Sequence, residues 1–148
     1  MSRDNKAQKD LKGRLISVGQ RLAERELAHT VPLDEARRRA LAIHENIADA
    51  VTAYNLEVES AGVPQLRIEQ GPIRPDEKHL RSVQFDIKRG RHTAIVTVKS
   101  RGEITLVGPF RAGKSEGPCK SFPFESPAEL SSALAPFLES FLEEAATP

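Results

Sequence analysis

The chain is 148 residues long, the size of one ordinary domain, and 39% of its residues are hydrophobic while 29% are charged. Residues 1–14 are polar and no apolar run approaches the roughly 20 residues that cross a bilayer, so we expect neither a secretion signal nor a membrane span, and we expect a cytoplasmic location. The single cysteine, Cys119, excludes an internal disulfide.

Charge is spread unevenly along a chain whose net charge is only +1. Residues 1–63 hold ten Lys or Arg and ten Asp or Glu, residues 64–120 hold twelve and six, and residues 121–148 hold none and five, which gives 0, +6 and −5. Two interpretations are open. Either the basic middle and the acidic tail attract each other within the fold, or the middle block provides a surface that binds anions.

Two amphipathic helices are predicted for the first 63 residues. The first covers about residues 6–28, because apolar side chains recur at spacings of four, three and four and therefore fall on one stripe. The members of that stripe are Leu11, Leu15, Val18 and Leu22. The second helix ends at Gly62 and Pro64 and carries apolar residues at near-heptad spacing. These residues are Ala36, Ala40, Ile43, Ile47, Val51, Tyr54 and Val58.

The second helix is long for a domain of this size. About 27 residues at 1.5 Å per residue reach roughly 40 Å, so part of its apolar stripe is expected to extend beyond a small sheet. An antiparallel helical hairpin or a coiled-coil dimer would cover the excess. The first 63 residues therefore predict helix-to-helix contact, either within one chain or between two.

From residue 65 the hydrophobic period changes from about 3.6 to 2, which predicts strands. The expected strand segments, in chain order, are QLRIEQGPI, SVQFDIK, TAIVTVK, EITLVGPF and CKSFPF. Pro72 confines the end of the first segment to a sheet edge or a bulge. Because the connections are too short for a crossover, neighbouring strands must be antiparallel and the sheet is predicted to be a meander.

A third helix is predicted over residues 126–146. Ser126 and Glu129 fit a capping box, and Pro127 suits the first helical position. Its apolar side carries Leu130, Leu134, Phe137, Leu138, Phe141 and Leu142. Pro136 predicts a kink or a break into two short helices, since an interior proline costs about 3 kcal/mol or more.

The predicted fold class is α+β in a single domain over residues 1–148. It comprises a helical hairpin over 1–63, a four- or five-stranded antiparallel sheet over 64–124, and a C-terminal helix over 126–146 packed on the sheet. The sheet face expected to meet that helix carries Val83, Phe85, Ile87, Ile104 and Leu106. The expected partners on the helix are Leu134, Leu138 and Phe141.

One segment, GPFRAGKS at Gly108–Ser115, fits the phosphate-loop pattern G-x-x-x-x-G-K-[ST]. A phosphate loop needs a helix that starts at its Lys-Ser end, because the helix N-terminus faces the phosphates. Gly117 and Pro118 follow instead and cannot sustain a helix. We therefore interpret the segment as a strand end and a hairpin tip; a phosphate-ligand or nucleotide enzyme using Lys114 is the weakest of the functional alternatives.

Two loops of the predicted meander fall at the same end of the sheet and are rich in cations. They bring together Lys88, Arg89, Arg91, His92, Arg111 and Lys114. Such a basic rim suits phosphate, sulfate or a nucleic-acid backbone. The alternative is an ordinary pair of solvated hairpin tips.

No catalytic residue, cofactor site or metal site is predicted, because the four histidines and Cys119 lack ligand spacing and no other catalytic motif occurs. We expect a non-enzymatic interaction module that forms a homo-oligomer or binds a partner protein through its N-terminal helices. The candidate interface residues are Leu11, Leu15, Val18, Leu22, Ile43, Ile47, Val51 and Tyr54. Nucleic acid is the alternative partner, at the basic rim, and no membrane partner is expected.

Overall fold

The N-terminal part of the chain is one long helix, α1, which spans Arg3–Leu27. The computed structural model describes residues 3–28, 30–76, 81–111 and 117–146, and the chain divides into two units, Met1–Val31 and Pro32–Pro148. Helix α1 is continuous over 25 residues in spite of its two glycines. The expectation of one domain over the whole chain stays a prediction.

Helix α2 spans Thr30–Ser60 and presents its apolar residues to the core of the second unit. The buried members are Ala36, Ala40, Ile43, Ile47 and Val51. The helix ends where the sequence predicts. Gly62 adopts a φ of +83°, a region that favours glycine, and the N–H groups of Gly62 and Val63 bond to the carbonyls of Glu59 and Val58 at 3.0 and 2.8 Å. A single turn of 3₁₀ helix, Pro64–Leu66, follows.

The sheet is antiparallel throughout. Its strands are β1 at Glu69–Gln70, β2 at Arg74–Pro75, β3 at Ser82–Arg89, β4 at His92–Lys99, β5 at Glu103–Arg111 and β6 at Cys119–Pro123. The order is β1, β3, β4, β5 and β6, and β2 pairs with β3 on the same side as β1. Pro72 lies between β1 and β2, where the edge strand is interrupted. The predicted meander is confirmed.

One face of this sheet is apolar and meets both helices of the second unit. Residues that pair across strands share a face, and the pairs on this one include Val83 with Val98, Phe85 with Val96, Ile87 with Ala94, and Ile104 with Phe122. Helix α3 spans Pro127–Ala146 and buries Leu130, Leu134, Phe141 and Ala145 in the same cluster. Leu138 packs against that cluster, in agreement with the predicted contact between sheet and C-terminal helix.

Helices α2 and α3 run in the same direction across this face. Arg39, in the first part of α2, lies with its guanidinium carbon 4.4 Å from the ring centroid of Phe124, just before α3 begins. At the other end, Arg89 donates hydrogen bonds to the carbonyl of Gln65, after α2, and to that of Ala145, at the end of α3. The two helix starts therefore lie at one end of the sheet and the two helix ends at the other.

Helix α3 continues through Pro136 as a single element, so it does not break into two short helices, and the alternative of a kink stays a prediction. Proline removes one hydrogen bond of the helix, but buried side chains on both sides of it, Leu134 and Phe141, hold the two turns against the sheet. Packing thus outweighs the local preference. The fold class is confirmed as α+β, with an N-terminal helical segment, an antiparallel sheet and a C-terminal helix.

Candidate functional site

The apolar stripe predicted on α1 is exposed, and we call it the α1 stripe. The exposed fractions are 59% for Leu11, 62% for Leu15, 36% for Val18 and 48% for Leu22. Every side chain described between residues 5 and 28 is exposed. An exposed, contiguous row of large apolar side chains is uncommon on a soluble protein and marks surfaces that bind something.

The α2 residues predicted for the same interface are used differently. Ile43, Ile47 and Val51 are at most 9% exposed and belong to the core of the second unit. Tyr54 is half-buried, and its hydroxyl donates a hydrogen bond to the carbonyl of Leu66 at 2.8 Å. A partner could reach Ile43, Ile47 and Val51 only by opening the core. The predicted interface therefore narrows to the α1 stripe.

The sheet register brings the two predicted basic loops to the same end, as expected for a meander. Arg89 pairs with His92, and His92 pairs with Arg111 on the next strand. We call the set formed by Lys88, Arg89, Arg91, His92 and Arg111 the basic end. Lys114, the sixth predicted member, lies outside the described residues.

Members of the basic end have different surroundings. Arg89 is engaged with the carbonyls of Gln65 and Ala145, which places a cation at the C-terminus of α3, where the helix dipole favours it. The Nζ of Lys88 lies 3.3 Å from a carboxylate oxygen of Asp86.

His92 is buried, and its Nε2 finds no hydrogen-bond partner among the described residues. Arg91 and Arg111 are exposed. Of the predicted cluster, those two are the described cations that an incoming anion would reach most directly.

Cations at the opposite end of the sheet, by contrast, are paired. Arg101 donates to the carboxylate of Glu103 from Nε at 3.2 Å, and Lys99 Nζ lies 3.0 Å from the same oxygen. The hydrogen bond from Arg101, followed by that from Lys99, holds the pKa of Glu103 below its ordinary value. The Glu103 carboxylate thus stays ionised and offsets the charge of the β4–β5 turn.

The phosphate-loop pattern lies in a context unlike that of a phosphate loop. Its first residues complete β5, residues 112–116 lie outside the described part, and Gly117 and Pro118 lead directly into β6. Strand β6 pairs antiparallel with β5. Among the described residues, strand β5 is followed by strand β6. In a phosphate loop, a helix follows the strand instead.

A groove that the sequence did not predict separates α3 from strands β5 and β6; we call it the α3 groove. Its volume is about 340 Å³. The lining residues are Leu106, Gly108, Pro109, Pro118, Cys119, Lys120, Ser132, Ala133, Pro136, Phe137 and Ser140. A groove formed between a helix and strands distant in sequence leaves no local pattern by which it could be found.

The described ranges contain no group of three or more His, Cys, Asp or Glu side chains that could hold a metal ion. No described helix combines the length and the apolar composition of a bilayer-spanning segment.

Comparison with known proteins assigns the chain to no group: no family model, no curated protein and no solved structure matches it. Function must be inferred from the surfaces themselves. These are the α1 stripe, the basic end and the α3 groove.

Proposed function

We propose that this protein is a non-enzymatic interaction module that self-associates through the α1 stripe. The supporting observation is the exposure of large apolar side chains on one helix. Among the described residues, the exposed large hydrophobics outside α1 are Leu41 and Leu56. Those within α1 are Leu11, Leu15, Ile16, Val18, Leu22 and Leu27. Burying the stripe against a second copy would remove it from water, at about 25 cal/mol for each Å² of apolar surface.

The charges of α1 favour an antiparallel pair. Residues 3–14 carry five Lys or Arg and two Asp, whereas residues 21–27 carry two Arg and two Glu. A parallel pair would set the basic segments side by side, but an antiparallel pair sets each against the neutral end of the other copy. The antiparallel arrangement therefore avoids the larger repulsion.

Spacing along the stripe fits the same arrangement. In an antiparallel pair centred on the stripe, Leu11 lies opposite Leu22 of the second copy and Leu15 lies opposite its Val18. The apolar side chains of the two stripes thus face one another in one register.

The stripe is short, so a weak association is expected. It covers eleven residue steps, about 17 Å at 1.5 Å per residue, which is roughly two heptads. We expect a dissociation constant of roughly micromolar or weaker, so concentration should control the population of dimer. Pairing should also stabilise α1 itself, because an isolated helix with two interior glycines is marginal.

Sedimentation equilibrium over a wide concentration range tests the proposal. The wild-type chain should shift from monomer towards dimer, and Leu15→Asn should remain monomeric over the same range because it puts an amide in the seam. Ile16→Asn is the matched control, since Ile16 is 52% exposed on the same helix but lies outside the stripe. A wild type that stays monomeric, or variants that weaken association equally, would refute self-association through this stripe.

A second candidate function is binding of nucleic acid or another polyanion at the basic end. The observation that favours it is the pairing of His92 with Arg111, which sets the two basic loops side by side. Because phosphate contacts release counterions, such binding should fall steeply with salt. It would leave self-association unaffected, as the α1 stripe takes no part in it.

Substitution of Arg91, Arg111 and Lys114 by glutamate, which reverses their charge, tests binding at the basic end. Binding of duplex or single-stranded nucleic acid at low salt should disappear in the triple variant. A control of equal net charge reverses Arg37, Arg38 and Arg101, which lie away from the basic end, and should retain binding. Absence of binding by the wild type at low salt, or equal loss in both variants, would contradict a site at the basic end.

A further inference from the structure

The α3 groove is large enough for a small ligand and is lined mainly by apolar groups. Its volume of about 340 Å³ falls at the lower end of the range of ligand pockets, which is roughly 300–1,000 Å³. Leu106, buried on the apolar sheet face, belongs to the lining, and Phe137 of α3 lines it from the helix side. Apolar surface available at a groove of this size favours a ligand with an apolar body.

Small residues line the groove on both sides. Gly108 belongs to the lining, and its φ of +117° suits glycine. An added Cβ there would lie 3.0 Å from the carbonyl oxygen of Thr93 on β4, so the close approach of β4 and β5 also requires glycine. On the helix side, Ala133 is a small member of the lining.

The described residues that line the groove carry one sign of charge. Lys120 is the single charged residue among them, and they include no carboxylate. Lys120 pairs in register with Leu106, which places it on the same sheet face as the groove. Ser132 and Ser140 add hydroxyl groups along α3. A ligand with an anionic head and an apolar tail matches this combination of groups.

We propose that the α3 groove binds a small amphipathic carboxylate, with its carboxylate at Lys120 and its apolar chain along Leu106, Ala133 and Phe137. The available volume sets the size of the chain. A volume of about 340 Å³, at the lower end of the range of ligand pockets, suits a short-chain rather than a long-chain carboxylate. This site is separate from the α1 stripe and does not depend on self-association.

Titration of the isotopically labelled full chain with octanoate, below its micelle-forming concentration, tests the proposal. Octanoate should bind with a dissociation constant of roughly a millimolar or below. Amide signals of Lys120, Ala133 and Phe137 should move. Those of Thr97, on the other sheet face, should stay in place. Octylammonium, of the same length and opposite charge, should bind at least tenfold more weakly.

Two variants separate the head from the tail. Lys120→Gln should weaken octanoate binding by roughly three- to tenfold, the range expected for a partly exposed charge-assisted contact. Lys88→Gln removes a cation from the opposite sheet face and should leave binding unchanged. Ala133→Met narrows the groove and should weaken octanoate and octylammonium alike. The amide spectra of all three variants should retain the dispersion of the wild type.

Several results would overturn this proposal. Octylammonium that binds as well as octanoate would remove the role of charge, and an unchanged affinity in Lys120→Gln would do the same. Signal changes centred on Leu15 and Val18 would show adsorption to the α1 stripe. No measurable binding of octanoate at millimolar concentration would exclude the groove as a site for such carboxylates.

Discussion

Helices α1 and α2 carry apolar residues at closely similar spacings, yet one stripe is exposed and the other is buried. Leu15 on α1 is 62% exposed, whereas Ile47 on α2 is 2% exposed. The buried stripe faces Phe85 and its neighbours on the sheet, and His44 of α2 sits with its ring 4.8 Å from that of Phe85. Spacing alone shows that a helix has an apolar side, but it does not show what covers that side.

The comparison also separates two ways in which a helix can be stable. Helix α2 gains from core packing and from side-chain hydrogen bonds to the segment that follows it. In α1 the described side chains are exposed and do not pack in a core. Its stability therefore comes from helix propensity and from local ion pairs, such as that of Arg14 with Asp10. Such contributions are small, so the proposed self-association would add substantially to the stability of α1.

The largest expected contrast comes from truncating one leucine-sized side chain in each helix. Ile47→Ala should lower the free energy of unfolding by about 2–5 kcal/mol, because it leaves a cavity in the core. Leu15→Ala should change the unfolding of the sheet by less than about 0.5 kcal/mol, as expected for an exposed site. Urea denaturation monitored at sheet residues measures both. Equal losses would show that α1 contributes to the core as α2 does.

The second largest effect on the free energy of unfolding is expected from a hydrogen-bonded contact of α2. Asn55 donates to the carbonyl of Ile68 and accepts from its N–H, both at 3.0 Å, and Ile68 is buried. Asn55→Ala leaves both backbone groups without this partner and should cost about 1–3 kcal/mol. Gln20→Ala, at an exposed α1 position, is the control and should cost little. If Asn55→Ala left the free energy of unfolding unchanged, water would be replacing the hydrogen bonds of the amide at no cost.

Helix propensity should matter more in α1 than packing does. A Cβ added at Gly19 meets no atom within 4 Å, so Gly19→Ala should stabilise the helix by about 1 kcal/mol without a steric penalty. Slower amide exchange in α1 and stronger helical circular dichroism would show this. The urea midpoint of the sheet should not move. Unchanged exchange in α1 would indicate that the helix is already held by something other than its own propensity.

The smallest expected effect concerns surface charge. Because the pKa of Glu103 is lowered in the folded state, mainly by Arg101, its contribution is present above the unfolded pKa and disappears as pH falls through the folded pKa. Glu103→Gln should cost less than about 1 kcal/mol at neutral pH, and the difference from wild type should vanish in acid. Asp10→Asn in α1 should leave sheet unfolding unchanged. If the difference in the free energy of unfolding between wild type and Glu103→Gln grew as the pH fell, the expected sign of this effect would be wrong.

Much of the fold could be predicted because its signals are local. Val83, Phe85 and Ile87 alternate with polar residues, and short connections leave antiparallel pairing as the arrangement for adjacent strands. Pro72 correctly indicated an edge, whereas Pro136 does not end the helix, because the burial of Leu134 and Phe141 holds the helix across it. Local rules failed where non-local packing supplied the larger energy.

The candidate sites were less accessible to prediction. The α1 stripe was identified from spacing, and the meander placed Arg91 and Arg111 at one end of the sheet before the register was known. Neither pattern revealed that Arg89 would be engaged with carbonyls at the ends of α2 and α3. The α3 groove had no sequence signal, since Gly108, Lys120 and Ala133 acquire their relation through the fold.

By itself, the sequence determined the three helices, the order and antiparallel pairing of the strands, and the uneven distribution of charge. Hydrophobic period, proline and glycine positions, and connection length act within a few residues and can be read from the chain. Only the tertiary structure decided that the α2 stripe is buried, that α2 and α3 run in the same direction on one face, and that a groove opens beside α3. Burial and cavities depend on which surfaces meet, and residues far apart in the sequence decide that together.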